Sequence, residues 1–368
     1  MTSRQIPAMP PPPGMHSNFV DPPDQLNQNI AFHTVCLTVV TLSVAVRLYT
    51  RMRITKASLG MDDYFCVLSY ALSVAFSGLM IKTYTLGIGR HMWDTPLTWF
   101  LEARKFFVFA EWVYIALTCV IKLTFLFFYY RIFSSQTITR YAIYFGFFFV
   151  VCSHIPLFFA TIFHCSPVAR SWDPTLKGYC KSKYALPYTS GILSSATDLY
   201  ILLLPMQSLW SLSLKVDRKL KLMGIFGLGI FACAASLIRL GKTPAYYSNK
   251  DATRGISDMA IWAVIEINVG ILCASATLLP AFFDRHWPKA INSSIVRFWA
   301  HTRSRKSSSA TLTKIESPPS DAASGQSDVH VWAANASAES GADSGFPKAL
   351  HGTNASKDFD DEKSFTRY

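Results

Sequence analysis

Apolar residues occur along this chain in long runs that short polar and basic segments separate. Because a helix needs about 20 apolar residues to cross a bilayer, each run of that length predicts a membrane span. The runs predict seven spans, at about 30–48, 64–81, 106–133, 141–163, 190–210, 222–240 and 259–283. The predicted fold class is therefore an all-α, seven-transmembrane helix bundle.

The third run, 106–133, carries charged residues inside an otherwise apolar segment. At 100° per residue, a helix places Glu111, Thr118, Lys122 and Tyr129 on one face. A charge that faces hydrocarbon costs roughly 2.5 kcal/mol or more, so this polar stripe should face other helices or water. Two interpretations stay open: a structural hydrogen-bonded seam between helices, and a surface that faces a ligand.

Charges flank the first predicted span asymmetrically. Asp21 and Asp24 lie ahead of it, whereas its trailing flank carries Arg47, Arg51, Arg53 and Lys56. Basic residues favour the cytosolic side, so the N-terminus is predicted outside and the C-terminus in the cytosol. The net charge of +12 is carried mostly between the spans and just after the last one. The same rule explains much of this excess, and no nucleic-acid partner is expected.

Both ends of the chain are polar, and the predicted transmembrane domain lies between them at 29–290. Residues 1–28 are proline-rich and lack the apolar core of a signal peptide, so we expect a short disordered N-terminal tail. The composition from residue 307 onward predicts a disordered cytosolic tail over 291–368. Glycosylation sequons that should be silent in the cytosol occur at Asn292, Asn335 and Asn354.

The cysteines fall into two groups. Six lie in or beside apolar runs and are predicted to be packing residues: Cys36, Cys66, Cys119, Cys152, Cys233 and Cys273. The other two, Cys165 and Cys180, share one loop that the topology places in an oxidising compartment. A disulfide that closes a loop of this size contributes about 3 kcal/mol, and we predict the bridge rather than two free thiols.

Two intramembrane charges of opposite sign suggest a contact across the bundle. Lys122 lies near the middle of the third span and Asp198 near the middle of the fifth. Each alone would be a costly buried charge, so they are predicted to form an ion pair. The ligand-pocket candidates are the carboxylates and tryptophans nearer the outer side, namely Glu111, Trp112, Trp262 and Glu266.

Several sequence stretches occur in a recognisable order. They are LGMDDY at 59–64, GIGRHMWD at 87–94, KLTFLFFYYRIF at 122–133, the CSPVARSWDP…GYC loop, DLYILLLPMQSLWSL at 198–212, GIFACAASLIRL at 229–240 and WAVIEINVGILCASATLLP at 262–280. The set resembles the fungal rhodopsin-like integral membrane proteins. These are related to the Pth11-type receptors and to Sat4-like proteins encoded beside toxin biosynthesis genes. The resemblance covers roughly residues 30–290. Some Pth11-type receptors carry a cysteine-rich domain ahead of the first span, whereas no cysteine precedes Cys36 here.

A receptor-like protein is the function predicted first. It would sense an external small molecule or surface cue, and its basic inner loops would meet a cytosolic signalling partner. The resemblance adds a tie to secondary-metabolite production. An accessory membrane protein, a cyclase-type enzyme or a carrier of such a pathway are the alternatives. Enzyme activity is less favoured because Lys122 would keep Asp198 ionised, and a carrier because no internal repeat is visible.

A rhodopsin-like family invites the expectation of retinal, which the sequence opposes. A retinal Schiff base needs a lysine in the last span, and 259–283 contains none. Lys122 is better explained by its pairing with Asp198. No cofactor and no metal are therefore expected, and the expected surroundings are membrane lipid. The predicted location is a multi-pass position in the plasma membrane rather than in an internal membrane.

Overall fold

The computed structural model describes residues 6–56, 58–133, 135–181, 185–210, 216–248 and 251–286. These ranges fall in one unit, 1–306; the second unit, 307–368, lies outside them, as do the three sequons and the predicted tail at 291–368. The described helices are α1 (Leu26–Tyr49), α2 (Met61–Thr85), α3 (Leu97–Phe133), α4 (Thr137–Ile162), α5 (Ala185–Trp210), α6 (Val216–Ser248), α7 (Ala252–Ala276) and α8 (Leu279–His286). A π-helical turn, Thr50–Ile54, continues α1.

Six of the described helices are long and apolar enough to cross a membrane, namely α1, α2, α3, α4, α6 and α7. The seventh long helix, α5, is not among these six, and Asp198 and several serines and threonines lie within it. It packs against α4 and α6 and also touches α3. The predicted all-α membrane bundle is confirmed, while the side that faces the cytosol stays a prediction.

The last span differs from its prediction of 259–283. The α7 helix ends at Ala276, and a turn leads into the short helix α8 (Leu279–His286). Pro280 lies in the first turn of α8, where a missing backbone N–H is tolerated. The apolar run continues through the turn as LLPAFF, so hydropathy alone did not reveal the break.

Helix packing places α3 in the interior. Neighbours in the chain pack together from α1 to α7, and α1 also contacts α7, while α3 touches α5 and α7 in addition. In its polar stripe, Thr118 and Lys122 are buried, 6% and 3% exposed, while Glu111 and Tyr129 are half-buried. A Cβ atom on Gly229 of α6 would lie 2.9 Å from Leu202 Cδ1 of α5. The small residue thus lets these two helices approach closely.

The loop between α4 and α5 contains a two-stranded antiparallel ladder of β1 (Cys165–Ser166) and β2 (Tyr179–Cys180). Cys165 and Cys180 are register partners, and their sulfur atoms lie 2.00 Å apart, so the predicted disulfide is confirmed. We call this end of the bundle the disulfide end. The opposite end, at which α1 stops near Arg47, is the arginine end.

The segment 6–18 crosses the loop between α2 and α3 at the disulfide end. Backbone N–H groups of Leu97 and Ala8 donate to the carbonyls of Ile6 and Thr95, at 3.0 and 2.9 Å. The amide of Asn18 donates to Asp94 Oδ1 at 2.8 Å. The domain boundaries read from the sequence (1–28, 29–290 and 291–368) stay predictions.

Candidate functional site

A group of hydrogen-bonded polar side chains joins α3, α5, α6 and α7 inside the bundle. We call it the polar layer, and its members are Tyr114, Lys122, Ser194, Thr197, Asp198, Arg239 and Glu266. Burying polar groups is costly unless they are paired, so the contacts within the layer decide whether it is stable. They fall into two linked halves.

The first half centres on Lys122 of α3. Its Nζ donates to Asp198 Oδ1 at 2.6 Å, Thr197 Oγ1 at 2.8 Å and the Ser194 carbonyl at 2.9 Å. The three partners stand at positions i, i+3 and i+4 of α5, which share one helix face. The structure thus brings together the two charges that the sequence analysis proposed to pair.

The second half centres on Glu266 of α7. Its carboxylate accepts hydrogen bonds from Arg239 Nε at 2.8 Å, Tyr114 OH at 2.9 Å and Ser194 Oγ at 3.0 Å. The Arg239 guanidinium carbon also lies 5.2 Å from the Tyr114 ring centroid, within cation–π range. Ser194 contacts both Lys122 and Glu266 and therefore links the two halves.

Sequence reasoning missed Arg239. The predicted sixth span stopped at residue 240, which made Arg239 a flanking residue, and the following Gly241 and Pro244 favour a helix end. In the structure α6 continues to Ser248, so Arg239 lies inside the helix and is only 4% exposed. The signal in the sequence was its position three residues after Ser236, on the same helix face. In the structure this face meets α5, where Ser236 Oγ lies 3.0 Å from Ser195 Oγ.

Two cavities flank the polar layer. The cavity toward the disulfide end has a volume of about 110 Å³. It is lined by Phe76, Met80, Phe107, Ala110, Glu111, Tyr114, Ile115, Pro187, Ser190, Arg239, Ile256, Met259, Ala260 and Ala263. The cavity toward the arginine end has a volume of about 100 Å³, and its charged lining residues are Lys122, Asp198 and Glu266.

The four ligand-pocket candidates occupy different positions. Glu111 lines the disulfide-end cavity, and Glu266 belongs to the polar layer and lines the arginine-end cavity. Trp112 and Trp262 line neither of these two cavities; the Trp112 ring packs on Phe109 at 5.1 Å between centroids. Each tryptophan is adjacent in sequence to a lining residue, and adjacent helix positions point about 100° apart.

A separate ionic cluster ties the arginine end together. Arg47 lies 2.6 Å from Asp62 and 3.0 Å from Asp63, and Arg51 lies 2.8 Å from each of them. At the end of α3, Arg131 Nη1 lies 3.2 Å from Asp62 Oδ1. The LGMDDY stretch therefore provides the acidic half of a cluster that joins α1, α2 and α3.

Asp62 and Asp63 stand where a helix start favours negative charge, but that role alone does not account for them. Asp63 Oδ2 does accept the Gly60 N–H at 3.1 Å, which caps the start of α2. The same carboxylate is also buried against two arginines. Arg47 and Arg51 are four residues apart and therefore lie on the same face of a helix. This spacing was the signal in the sequence that the two arginines share a partner. Within the described residues no group of His, Cys, Asp and Glu is placed to hold a metal ion.

The fold and the site define a class of protein: a helical membrane domain whose helices are joined by buried ionic contacts. Residues 46–285 match the family model of the fungal rhodopsin domain. This is well over half of the chain, and the protein belongs to the fungal rhodopsin domain family.

The relatives give the family a biological setting. The chain is 26% identical over 287 residues to "Fugralins biosynthesis cluster protein 2" of Gibberella zeae, covering 74% of this chain and 70% of that protein. It is 29% identical over 218 residues to a "SAT4 family membrane protein" of Emericella nidulans, and the match covers 59% of this chain and 55% of that protein. It is 26% identical over 293 residues to "Receptor GIN3" of Arthrobotrys oligospora, and the match covers 77% of this chain and 69% of that protein. No solved structure matches the chain.

Proposed function

We propose that this protein is a receptor that senses a small molecule bound in the disulfide-end cavity. The observation that carries the proposal is the position of this cavity directly against the polar layer, because Tyr114 and Arg239 belong to both. A ligand that moves Arg239 changes its contact with Glu266 and, through Ser194, the contacts of Lys122. Similarity to a protein named as a receptor supports this reading.

The route to the other end of the bundle follows α3. This helix carries Glu111 at the disulfide-end cavity, Lys122 in the polar layer and Arg131 at the arginine end. A ligand acts only through a difference in affinity between two arrangements of the helices. The Arg131–Asp62 contact at 3.2 Å, with the Arg131 side chain 35% exposed, is the contact at this end that a cytosolic partner could replace. We propose the plasma membrane as its location.

An accessory role in a metabolite pathway is the second candidate. The name of the Gibberella zeae relative places that protein in a biosynthesis cluster, and this similarity favours the same setting here. A carrier or a cyclase-type enzyme would use the same cavities differently. A carrier would move its ligand across proteoliposomes, and an enzyme would convert it, whereas a receptor would return it unchanged.

We propose further that the protein works without retinal. Four hydrogen-bond acceptors surround the Nζ of Lys122. They stabilise the side chain as an ammonium group rather than as the neutral amine that forms a Schiff base. α7 contains no lysine. The purified protein incubated with all-trans-retinal should show no new absorption band in the visible range, and a band that survives removal of free retinal would contradict the proposal.

The test of the receptor proposal is to fill the disulfide-end cavity. Ala263 lines it, so Ala263→Phe should block a ligand, whereas Ala45→Phe places the same ring on an exposed face of α1. Both variants and the native chain, in lipid nanodiscs, would be screened by thermal shift against fractions of fungal culture medium. We expect a fraction that stabilises the native chain and Ala45→Phe but not Ala263→Phe.

The same fraction should change amide hydrogen exchange at the arginine end, around residues 47–63 and 131. Exchange that changes only around the cavity would argue against a receptor. Conversion of the bound compound, detected by mass spectrometry, or its uptake into proteoliposomes would favour the enzyme or the carrier instead.

A further inference from the structure

The charges that line the two cavities do not balance. Three are carboxylates, Glu111, Asp198 and Glu266, and two are cations, Lys122 and Arg239. Asp198 pairs with Lys122 at 2.6 Å, and Glu266 pairs with Arg239 at 2.8 Å. Glu111 has no ion pair in the part of the chain that the structure describes. It is therefore the one carboxylate of the five-residue set whose charge no other described residue compensates.

The surroundings of Glu111 make this imbalance significant. The disulfide-end cavity is mainly apolar and aromatic, with Phe76, Phe107 and Tyr114 in its wall. A carboxylate in such a setting needs a cation or a proton, because an isolated charge is costly away from water. Aromatic faces attract organic cations within about 6 Å, so the wall itself favours an ammonium group as the cation.

Arg239 offers a second contact in the same cavity. Its Nε is used by Glu266, but its Nη2 is buried and has no hydrogen-bond partner among the described residues. A buried donor left without an acceptor is costly, so an acceptor oxygen on a ligand would stabilise the complex. Arg239 and Glu111 are the charged residues of the cavity lining, one offering donors and the other accepting them.

We propose that the disulfide-end cavity binds a small organic amine, with its ammonium group against Glu111 and an acceptor oxygen against Arg239. This assignment rests on the proposed receptor function and names the chemical class of its ligand. The volume of about 110 Å³ limits the ligand to a small organic amine. An amino acid has this combination of groups, because its ammonium group and its carboxylate oxygens lie close together.

The test compares four probes of similar shape on the full chain in lipid nanodiscs. Phenylalanine carries both charged groups, phenethylamine only the ammonium, hydrocinnamate only the carboxylate, and phenethyl alcohol neither. Binding would be measured by thermal shift and by titration calorimetry. We expect phenylalanine and phenethylamine to bind, hydrocinnamate and phenethyl alcohol to bind at least tenfold more weakly, and phenylalanine to bind most tightly.

Two matched variants locate the ammonium site. Glu111→Gln keeps the shape of the side chain and should weaken phenethylamine binding about 30-fold, as expected when one partner of a buried charge pair is removed. Glu102→Gln makes the same change on an exposed position of α3 and should leave binding unchanged. Should Glu111→Gln not fold, the comparison of phenethylamine with phenethyl alcohol on the native chain decides the same question.

The outcomes separate this inference from the proposed function. Equal binding of the alcohol and the amine, or equal amine affinity in Glu111→Gln, overturns the amine assignment. If Ala263→Phe still blocks those probes, the receptor proposal survives that result. Absence of binding by all four probes also overturns the amine assignment, while the screen of culture fractions decides the receptor proposal independently.

Discussion

Nη2 of Arg47 lies 2.6 Å from Oδ2 of Asp62, and their side chains are only 1% and 2% exposed. Arg47 also donates to the Ala274 carbonyl at 2.6 Å and to Thr277 Oγ1 at 3.1 Å. One guanidinium therefore joins the end of α1 to the start of α2 and to the end of α7. Breaking such a buried pair leaves the partner's charge uncompensated, which is costly.

The first prediction compares buried and exposed arginines of this end. Arg47→Met should lower the free energy of unfolding by about 3–5 kcal/mol. Arg131→Met should lower it by only about 0–1 kcal/mol, because the Arg131 side chain is 35% exposed. Arg53→Met, at an exposed position, serves as the control. Denaturant unfolding in detergent measures all three, and equal losses for Arg47 and Arg131 would contradict the burial argument.

The second prediction concerns the pair between α3 and α5. Lys122→Met and Asp198→Asn should each destabilise the protein by a few kcal/mol, because each leaves a buried charge without its counter-ion. The double variant should cost less than the sum, with a coupling energy of about 1–3 kcal/mol. A double-mutant cycle on unfolding in detergent measures this. Additive losses would show that the contact at 2.6 Å contributes no coupling.

The third prediction concerns the loop between α4 and α5. Cys165→Ser combined with Cys180→Ser should lower the free energy of unfolding by about 3 kcal/mol, since the bridge restricts the unfolded chain. Cys152→Ser, an exposed free cysteine of α4, is the control and should have little effect. Non-reducing peptide mapping should recover the two loop cysteines as one linked peptide. Two free thiols there would be the contrary result.

The fourth prediction concerns orientation in the membrane. The double substitution Lys177→Asn with Tyr179→Thr creates a glycosylation sequon at an exposed part of the disulfide loop. If the disulfide end is outside, this site is glycosylated on expression in a eukaryotic host, whereas Asn335 and Asn354 remain unmodified. A glycosidase-sensitive shift in electrophoretic mobility reports the result. Modification at either native asparagine would reverse the topology.

The sequence by itself determined the long helices, though not all of their ends, and two pairings of side chains. Apolar runs of membrane-spanning length set the helices, and the burial of the α3 stripe followed from the cost of charge in hydrocarbon. Cys165 and Cys180 were paired because they share a loop. Lys122 and Asp198 were matched because two opposite charges inside a membrane have few other ways to be satisfied.

The tertiary structure decided how the remaining polar groups are partnered. Arg239 resembled a flanking residue until α6 continued past it, and only helix packing brings it to Glu266. Asp62 and Asp63 signalled a helix start, and only the approach of α1 and α3 shows the three arginines that they bind. A hydropathy pattern indicates which side chains should avoid lipid, but it does not show which helices lie close enough for their side chains to pair. The packing of the helices alone therefore shows that Glu111 lines a cavity and has no ion pair among the described residues.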